Sequence, residues 1–238
     1  MSSLEYFATF SYIDYQTLVI NKMERIFMKD ISLVIGGGAG QGIKTIEQHL
    51  SKIVKFSDLH VYTTKEYESR IRGGINSTEI RISASKVDAY VKKIDLLLIL
   101  KPGVITHLKH RITTDTIIIG EEENLSKAEK EIAANFYPVP ITKLAKESGN
   151  KLYANSVIVG IIAKLLKLDT AIVTGVTQKY FGKKSEKIAE SNLVALEKGL
   201  EAAESLNLNL NIDLKKTKKV SDHLMLNGTE AIAMGAIN

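Results

Sequence analysis

The chain has no cysteine. It can therefore form no disulfide and carry no thiolate-held zinc or cysteine-ligated iron–sulfur cluster of its own, so any redox metal must stand on a partner. Its five histidines are scattered; His107 and His110, three apart, come nearest to ligand spacing, and no metal site is assigned to them. No run approaches the ~20 apolar residues needed to span a bilayer. The N-terminal stretch mixes acids with apolar residues and offers no small-residue cleavage site, unlike a signal peptide. The expectation is a soluble, cytoplasmic protein with no membrane contact. Also missing is any catalytic triad, carboxylate pair or metal cage, so no catalytic residue is assigned.

A basic stripe across the fold is lacking as well. The formal charge is +5, but four of the lysines lie in the stretch LKKTKK, Leu214 to Lys219, and without them the balance falls to +1. That pattern suits a solvated linker better than a nucleic-acid surface. With 238 residues, 45% of them hydrophobic and 25% charged, the chain can bury one substantial core with room for appended segments.

Residues 1–29 show aromatic and apolar residues without a sustained period and are read as an N-terminal extension with no assigned role. From Ile31 the pattern turns regular. Ile31 to Ile35 is a short apolar strand entering a glycine run; Ile43, Ile46, Leu50, Ile53 and Val54 then recur at helical spacing. Leu59 to Thr64 reads as a strand, and Ser77 to Ser83 alternates as a strand with one wet face. The apolar run from Ile94, ended by Pro102-Gly103, and Thr116 to Gly120 read as buried strands. Phe136 to Val139 is edge-like, with a short helix after it.

The C-terminal third is helical. Tyr153 to Leu168 is nearly apolar, placing that helix against the sheet or at a subunit contact; Ser185 to Leu206 is amphipathic, with Ile188, Leu193, Leu196, Leu200 and Ala203 facing inward. Strands alternating with helices predict an α/β fold with a mostly parallel, Rossmann-like three-layer sheet holding an antiparallel member. The expected domain is residues 30–206, followed by a lysine-rich linker over 207–224 and a new apolar element over 225–238.

The stretch VIGGGAGQGIKT, residues 34 to 45, has five glycines in seven positions. A strand, a glycine turn and a helix start present free amides and a positive helix end to an anion; the plainer alternative is a tight turn with close packing. The dinucleotide pattern G-x-G-x-x-G fits neither register, because its third glycine falls on Gln41 or Ile43, although Glu66 offers an acid near the end of the second strand. The triphosphate pattern G-x-x-x-x-G-K-[ST] is broken by Ile43 before Lys44-Thr45. One inserted residue turns both side chains by roughly 100° on a helix. The central strand also ends in Lys101, the wrong sign for holding a metal.

Gly37, Gly38, Ala39, Gly40, Gln41 and Gly42, with Thr45, resemble the G-x-[GA]-G-x-G-x-x-T loop that opens the gamma domain of 2-oxoacid:ferredoxin oxidoreductases, the pyruvate, 2-oxoglutarate and 2-ketoisovalerate enzymes. A second block, KEYESRIRGGINSTEIRIS, is similar to that family's acidic-aromatic pair before Arg-Gly-Gly and an alternating strand, through Glu66, Tyr67, Arg70, Arg72, Gly73, Gly74 and Asn76. Gly149, Asn150, Asn155 and Gly160 resemble its Gly-Asn to Asn helix, and Asn192, Ala195 and Gly199 its terminal helix. LNGTEAIAMGAIN, from Leu226, looks like the opening of the family's alpha domain, of pyrimidine-binding type. The order gamma, lysine-rich linker, alpha matches fused members, so a truncated or split gamma–alpha polypeptide is expected, inactive in isolation.

The resemblance implies a gamma-domain component acting with alpha and beta subunits, or with alpha, beta and delta subunits, and with ferredoxin through the complex. Thiamine diphosphate with magnesium, and the 4Fe-4S cluster, would sit on partner subunits. Coenzyme A, the acyl acceptor, is the natural candidate for contact with this chain, the alternative being that the same surface caps the thiamine site from the side. The implied contact residues are Gly37 to Gly42, Thr45, Glu66, Arg70, Arg72, Gly73 and Gly74. Arginine forks suit phosphate, but Arg70 and Arg72 serve equally as structural ion pairs with Glu66 or Glu68, and Gly73-Gly74 as backbone geometry. A non-catalytic scaffold and an NAD-dependent oxidoreductase are the competing readings.

Overall fold

The computed structural model describes residues 29–68, 74–183, 185–214 and 219–237. The N-terminal extension up to residue 28, together with Arg70, Arg72 and Gly73, lies outside the described residues. The elements are β1 (Asp30–Gly37), α1 (Ile43–Phe56), β2 (His60–Glu66), β3 (Asn76–Ser83), β4 (Leu96–Ile99), α2 (Val104–Leu108), β5 (Ile117–Gly120), α3 (Lys127–Lys130), β6 (Phe136–Pro138), α4 (Ile141–Glu147), α5 (Ala154–Leu165), α6 (Thr170–Gly182), α7 (Glu186–Ser205) and α8 (Gly228–Ile237).

The strands form one sheet in the order β2-β3-β1-β4-β5-β6. β1, β4, β5 and β6 run parallel, and β3 pairs antiparallel with both β1 and β2. This is the mostly parallel α/β sheet, with its antiparallel member, that the residue pattern predicts. Alternation along the central strands sorts the core into two layers. Leu33, Ile35, Leu96 and Leu98 face a core shared with α1 and α5, whereas Val34, Leu97 and Ile99 face Val104, Ile105 and Leu108 of α2.

α5 is the central helix of the thicker layer. Every residue from Ser156 to Ala163 is buried, so its apolar surface is used inside the fold, against the sheet, and leaves no face for a partner. It crosses α7 at backbone contact: a Cβ on Gly160 would lie 2.1 Å from the Leu196 carbonyl oxygen, and one on Gly199 the same distance from that of Val157. This closeness changes the expected inner face of α7. The buried strip is made of Ala189, Asn192, Ala195, Leu196, Gly199 and Ala203, while Ile188 is 37% exposed. α6 had no apolar period to announce it; its signal is Asp169, whose carboxylate accepts from the amides of Ala171 and Ile172.

The wet face expected for β3 is instead covered. Ser77 and Glu79 are buried. Glu79 accepts from Ser32 Oγ at 3.2 Å and pairs with the Arg111 guanidinium, which also donates to the Lys92 and Val91 carbonyls. Arg81 donates from Nε to Asp30 at 2.8 Å. β3 lies between β2 and β1 rather than at an edge, so its polar side chains had to find partners.

After α7 the polar stretch is not wholly in water. Leu210, Ile212 and Val220 are buried, and Asp58 Oδ1 accepts from the amides of Val220 and Ser221, both at 3.0 Å. α8 beyond it is exposed along its length, Ile232 at 76% and Ile237 at 85%. Among the described residues no helix is long and apolar enough to cross a membrane.

Two stability outcomes follow from this packing. Gly160→Ala forces backbone apart and is expected to cost about 2–4 kcal/mol. Gly175→Ala on α6, with nothing within 4 Å of the added methyl, should gain up to about 1 kcal/mol; urea denaturation reads both, and equal effects would contradict the packing. His49, buried on α1, donates from Nε2 to Thr177 Oγ1 at 2.9 Å, since that hydroxyl gives its own proton to the Val173 carbonyl, and its ring stacks on Tyr180. Burial, and secondly Lys52, lower its pKa from 6.5 to about 4. The unfolded chain therefore binds the extra proton first as pH falls, so this neutral ring's contribution is complete above pH 6.5 and is lost toward pH 4, by about 3 kcal/mol. Urea unfolding at pH 7 and pH 4.5 should show that loss in the natural chain and a smaller one in His49→Gln; parallel losses would contradict it.

Candidate functional site

β1 ends in glycines because helix and loop come against its backbone. A Cβ on Gly36 would sit 2.3 Å from Val104 Cγ1, so α2 packs on bare main chain. The loop then turns into α1 through Gly42, the N-cap, at φ 77°. That left-handed conformation favours glycine, and the space a Cβ would take is filled by the Asn155 carboxamide, 2.3 Å away. Gly42 has no side chain to cap the helix, and α1 has no acid in its first turn. The amides of Ile43 and Lys44, ahead of the Thr45 amide that turns back to the Gly42 carbonyl, are placed for an outside acceptor.

Two neighbouring helix starts, those of α2 and α4, differ. Glu129, buried between α2 and α3, accepts at Oε2 from Gly103 N at 3.0 Å and at Oε1 from Thr106 N at 3.1 Å, and takes the Ser126 hydroxyl as well. Burial by itself would raise its pKa; the hydrogen bonds from Gly103, Ser126 and Thr106 together outweigh it and hold the carboxyl below its ordinary value. α2 thus begins on an internal carboxylate. At α4, Glu121 does the same, taking Thr142 N at 2.7 Å and Thr142 Oγ1 at 2.8 Å.

The uncapped start opens on a cleft of about 390 Å³, whose walls include Gly40, Gln41, Gly42, Thr142, Lys151 and Asn155. It stands at the C-terminal ends of β1, β4 and β5. Here α1 leaves toward one core layer and α2 toward the other, the switch point at which open α/β sheets receive ligands. Thr45, half-buried, donates its amide back to the Gly42 carbonyl at 2.8 Å.

Of the other described residues singled out in the sequence, Glu66 and Gly74 come to the same end of the sheet without lining this cleft. Gly36 is opposite Ser77, and Ser77 opposite Glu66, so β3 separates the glycine loop from Glu66. Glu66 accepts from Ser77 Oγ at 3.3 Å and stands 3.5 Å from His107 Nε2; the other ring nitrogen of His107 is 3.5 Å from Glu68. Glu66 lines a separate hollow of about 470 Å³ with Lys92, His110 and Arg111. Gly74 is half-buried ahead of β3. Lys151 and the two residues of the Glu121–Thr142 cap were not visible as site residues in the sequence; their signal was their place after β5 and just before buried helices.

Residues 32–202 match the family model described as pyruvate ferredoxin/flavodoxin oxidoreductase. The chain belongs to that family. It is 25% identical over 174 residues to 2-oxoglutarate synthase subunit KorC of Archaeoglobus fulgidus, an alignment covering 73% of this chain and 88% of the relative. Its fold is similar to a 2-oxoglutarate:ferredoxin oxidoreductase from Magnetococcus marinus solved with 2-oxoglutarate, coenzyme A and succinyl-CoA bound, at TM-score 0.78 and 24% identity over 88% of this chain. It is also similar, at TM-score 0.59 and 18% identity, to a keto/oxoacid ferredoxin oxidoreductase gamma subunit from Geobacter sulfurreducens, covering 74% of this chain and 99% of that one. This family member spans 37% of the Magnetococcus polypeptide and 99% of the Geobacter subunit.

Proposed function

We propose that this gamma-type chain works within an enzyme that oxidatively decarboxylates a 2-oxoacid to its acyl-coenzyme A thioester and passes the electrons to ferredoxin, and that its cleft takes a phosphate group of coenzyme A. The observation that carries the reading is the start of α1: it lacks any side-chain cap, whereas Glu129 and Glu121 supply their own carboxylates to the starts of α2 and α4. A phosphate at α1 would play there the part that these carboxylates play at α2 and α4. Lys151 and Asn155 in the cleft wall supply a cation and a carboxamide suited to the same anion. Glu121 borders the cleft, but its two oxygens are engaged by Thr142.

This chain's own part is binding and orientation. Thiamine diphosphate, when bound in such a complex, supplies the carbanion-stabilising chemistry at the oxoacid carbon. We assign the 4Fe-4S cluster to alpha, beta or delta partners, because this chain has no cysteine to ligate iron, and on the family resemblance we assign thiamine diphosphate and its magnesium to partners as well. The exposed apolar residues of α8, Ile232, Met234 and Ile237, are read as contacts toward an alpha-type part joined through residues 207–224, and the complex as cytoplasmic. Arg70 and Arg72 remain proposed anion contacts on their sequence alone.

In the assembled enzyme, assayed by 2-oxoacid-dependent viologen reduction, Lys151→Ala is expected to raise the KM for coenzyme A about fivefold to tenfold, roughly 1 kcal/mol. The value of kcat and the KM for the oxoacid should stay unchanged. Arg72→Ala should act in the same direction. Unaltered coenzyme A kinetics in both would leave the chain a scaffold with a structural glycine turn.

A further inference from the structure

Gln41 occupies an unusual position in the sheet. In a parallel ladder that continued past Gly36, the Leu100 amide would donate to Gly36 and the Gly38 amide to Leu100. The first of these bonds is present, at 2.9 Å. The second is not made directly: the Gln41 carboxamide stands between its two ends, accepting at Oε1 from the Gly38 amide and donating from Nε2 to the Leu100 carbonyl at 2.7 Å. It acts as a surrogate peptide group that wedges β1 and β4 apart where they would otherwise zip. Gly37 makes room for it, since a Cβ there would lie 2.7 Å from Gln41 Oε1.

We propose that Gln41 is the positioning and specificity-determining residue of the glycine loop. Its carboxamide fills the β1–β4 crevice where a dinucleotide's pyrophosphate would approach, and satisfies the Gly38 amide internally. The loop is thereby held so that the amides nearer the start of α1 are the ones that face the cleft. The ligand half of the proposal rests on the reading of that cleft as a coenzyme A phosphate site. It also gives the reason an NAD-type site does not form here: the crevice is already occupied by the chain's own amide.

The chemistry offers a titratable test. A protonated glutamic acid is nearly isosteric with glutamine and can both accept from Gly38 and donate to Leu100; the ionised form has no proton for the Leu100 carbonyl and sets a negative charge beside it. In the assembled enzyme, Gln41→Glu should therefore show a KM for coenzyme A close to the natural value at low pH. It should rise about tenfold as the carboxyl ionises, with kcat within about twofold, while the natural enzyme shows no such rise. A KM that tracks the natural enzyme at every pH overturns the proposal. Should Lys151→Ala alter that KM while Gln41→Glu does not, the cleft reading stands and the role of Gln41 falls. If neither alters it, the cleft reading itself falls, and with it the ligand half of the proposal.

The wedge is read separately in the free chain by melting. Gly37→Ala and Gln41→Ala should each lower the melting temperature, and the double variant should lose less than the sum of the two, because methyl and carboxamide claim one space while the methyl's contact with Leu100 Cβ, 3.0 Å away, remains. Additive losses overturn the wedge.

Discussion

A helix that begins in a glycine has nothing of its own to offer its first amide protons, and α1 begins in Gly42. Much of the surrounding structure follows from holding that start in place. Asn155 packs where a Gly42 side chain would be, Val104 packs on Gly36, and Gln41 spans the gap to β4. These contacts tie the loop to α5, to α2 and to the sheet respectively. Little freedom is left for the loop to collapse onto its own amides, which is the condition for a preformed anion site.

The two core layers explain why the site lies where it does. Leu33 and Ile35 turn to one face of the sheet and Val34 to the other, so helices leaving β1 and β4 must diverge, and a crevice opens between them. The chain then closes most of that edge with its own carboxylates and amides: Glu129 under α2, Glu121 under α4, Gln41 between the strands. What stays open is narrow and chemically defined. The protein's contribution to catalysis on this account is placement of a substrate's phosphate end, with bond-making left to groups on other subunits.

The framework was legible because it depends on local pattern. Alternation in β1 and β4, the glycine run, and the three- and four-residue recurrence from Ile43 to Val54 each report their own segment. The parts that were not legible depend on residues far apart in the chain. Glu79 reads as a solvent-facing position until Arg111 is brought against it; Glu129 belongs to no motif in the sequence, and its part is visible only where it meets Gly103 and Thr106. Ile188 was expected inside because it is large and apolar, but the strip of α7 that is buried runs through Ala189, Asn192, Ala195, Leu196, Gly199 and Ala203, with Gly199 at the close crossing with α5. Gln41 was read only as the residue that spoils a dinucleotide pattern, whereas its side chain is a structural member of the sheet. Family resemblance marked Asn155, and only geometry gave it a reason, the missing Gly42 side chain.

The central claim is that the first turn of α1 receives its hydrogen-bond acceptor from a bound phosphate. Hydrogen–deuterium exchange of the assembled enzyme, with and without coenzyme A, tests it most directly. The account predicts slower exchange of the amides from Ala39 to Thr45 when coenzyme A is present, with the Glu129-capped start of α2 unaffected. Unchanged exchange across that loop at saturating coenzyme A would contradict it.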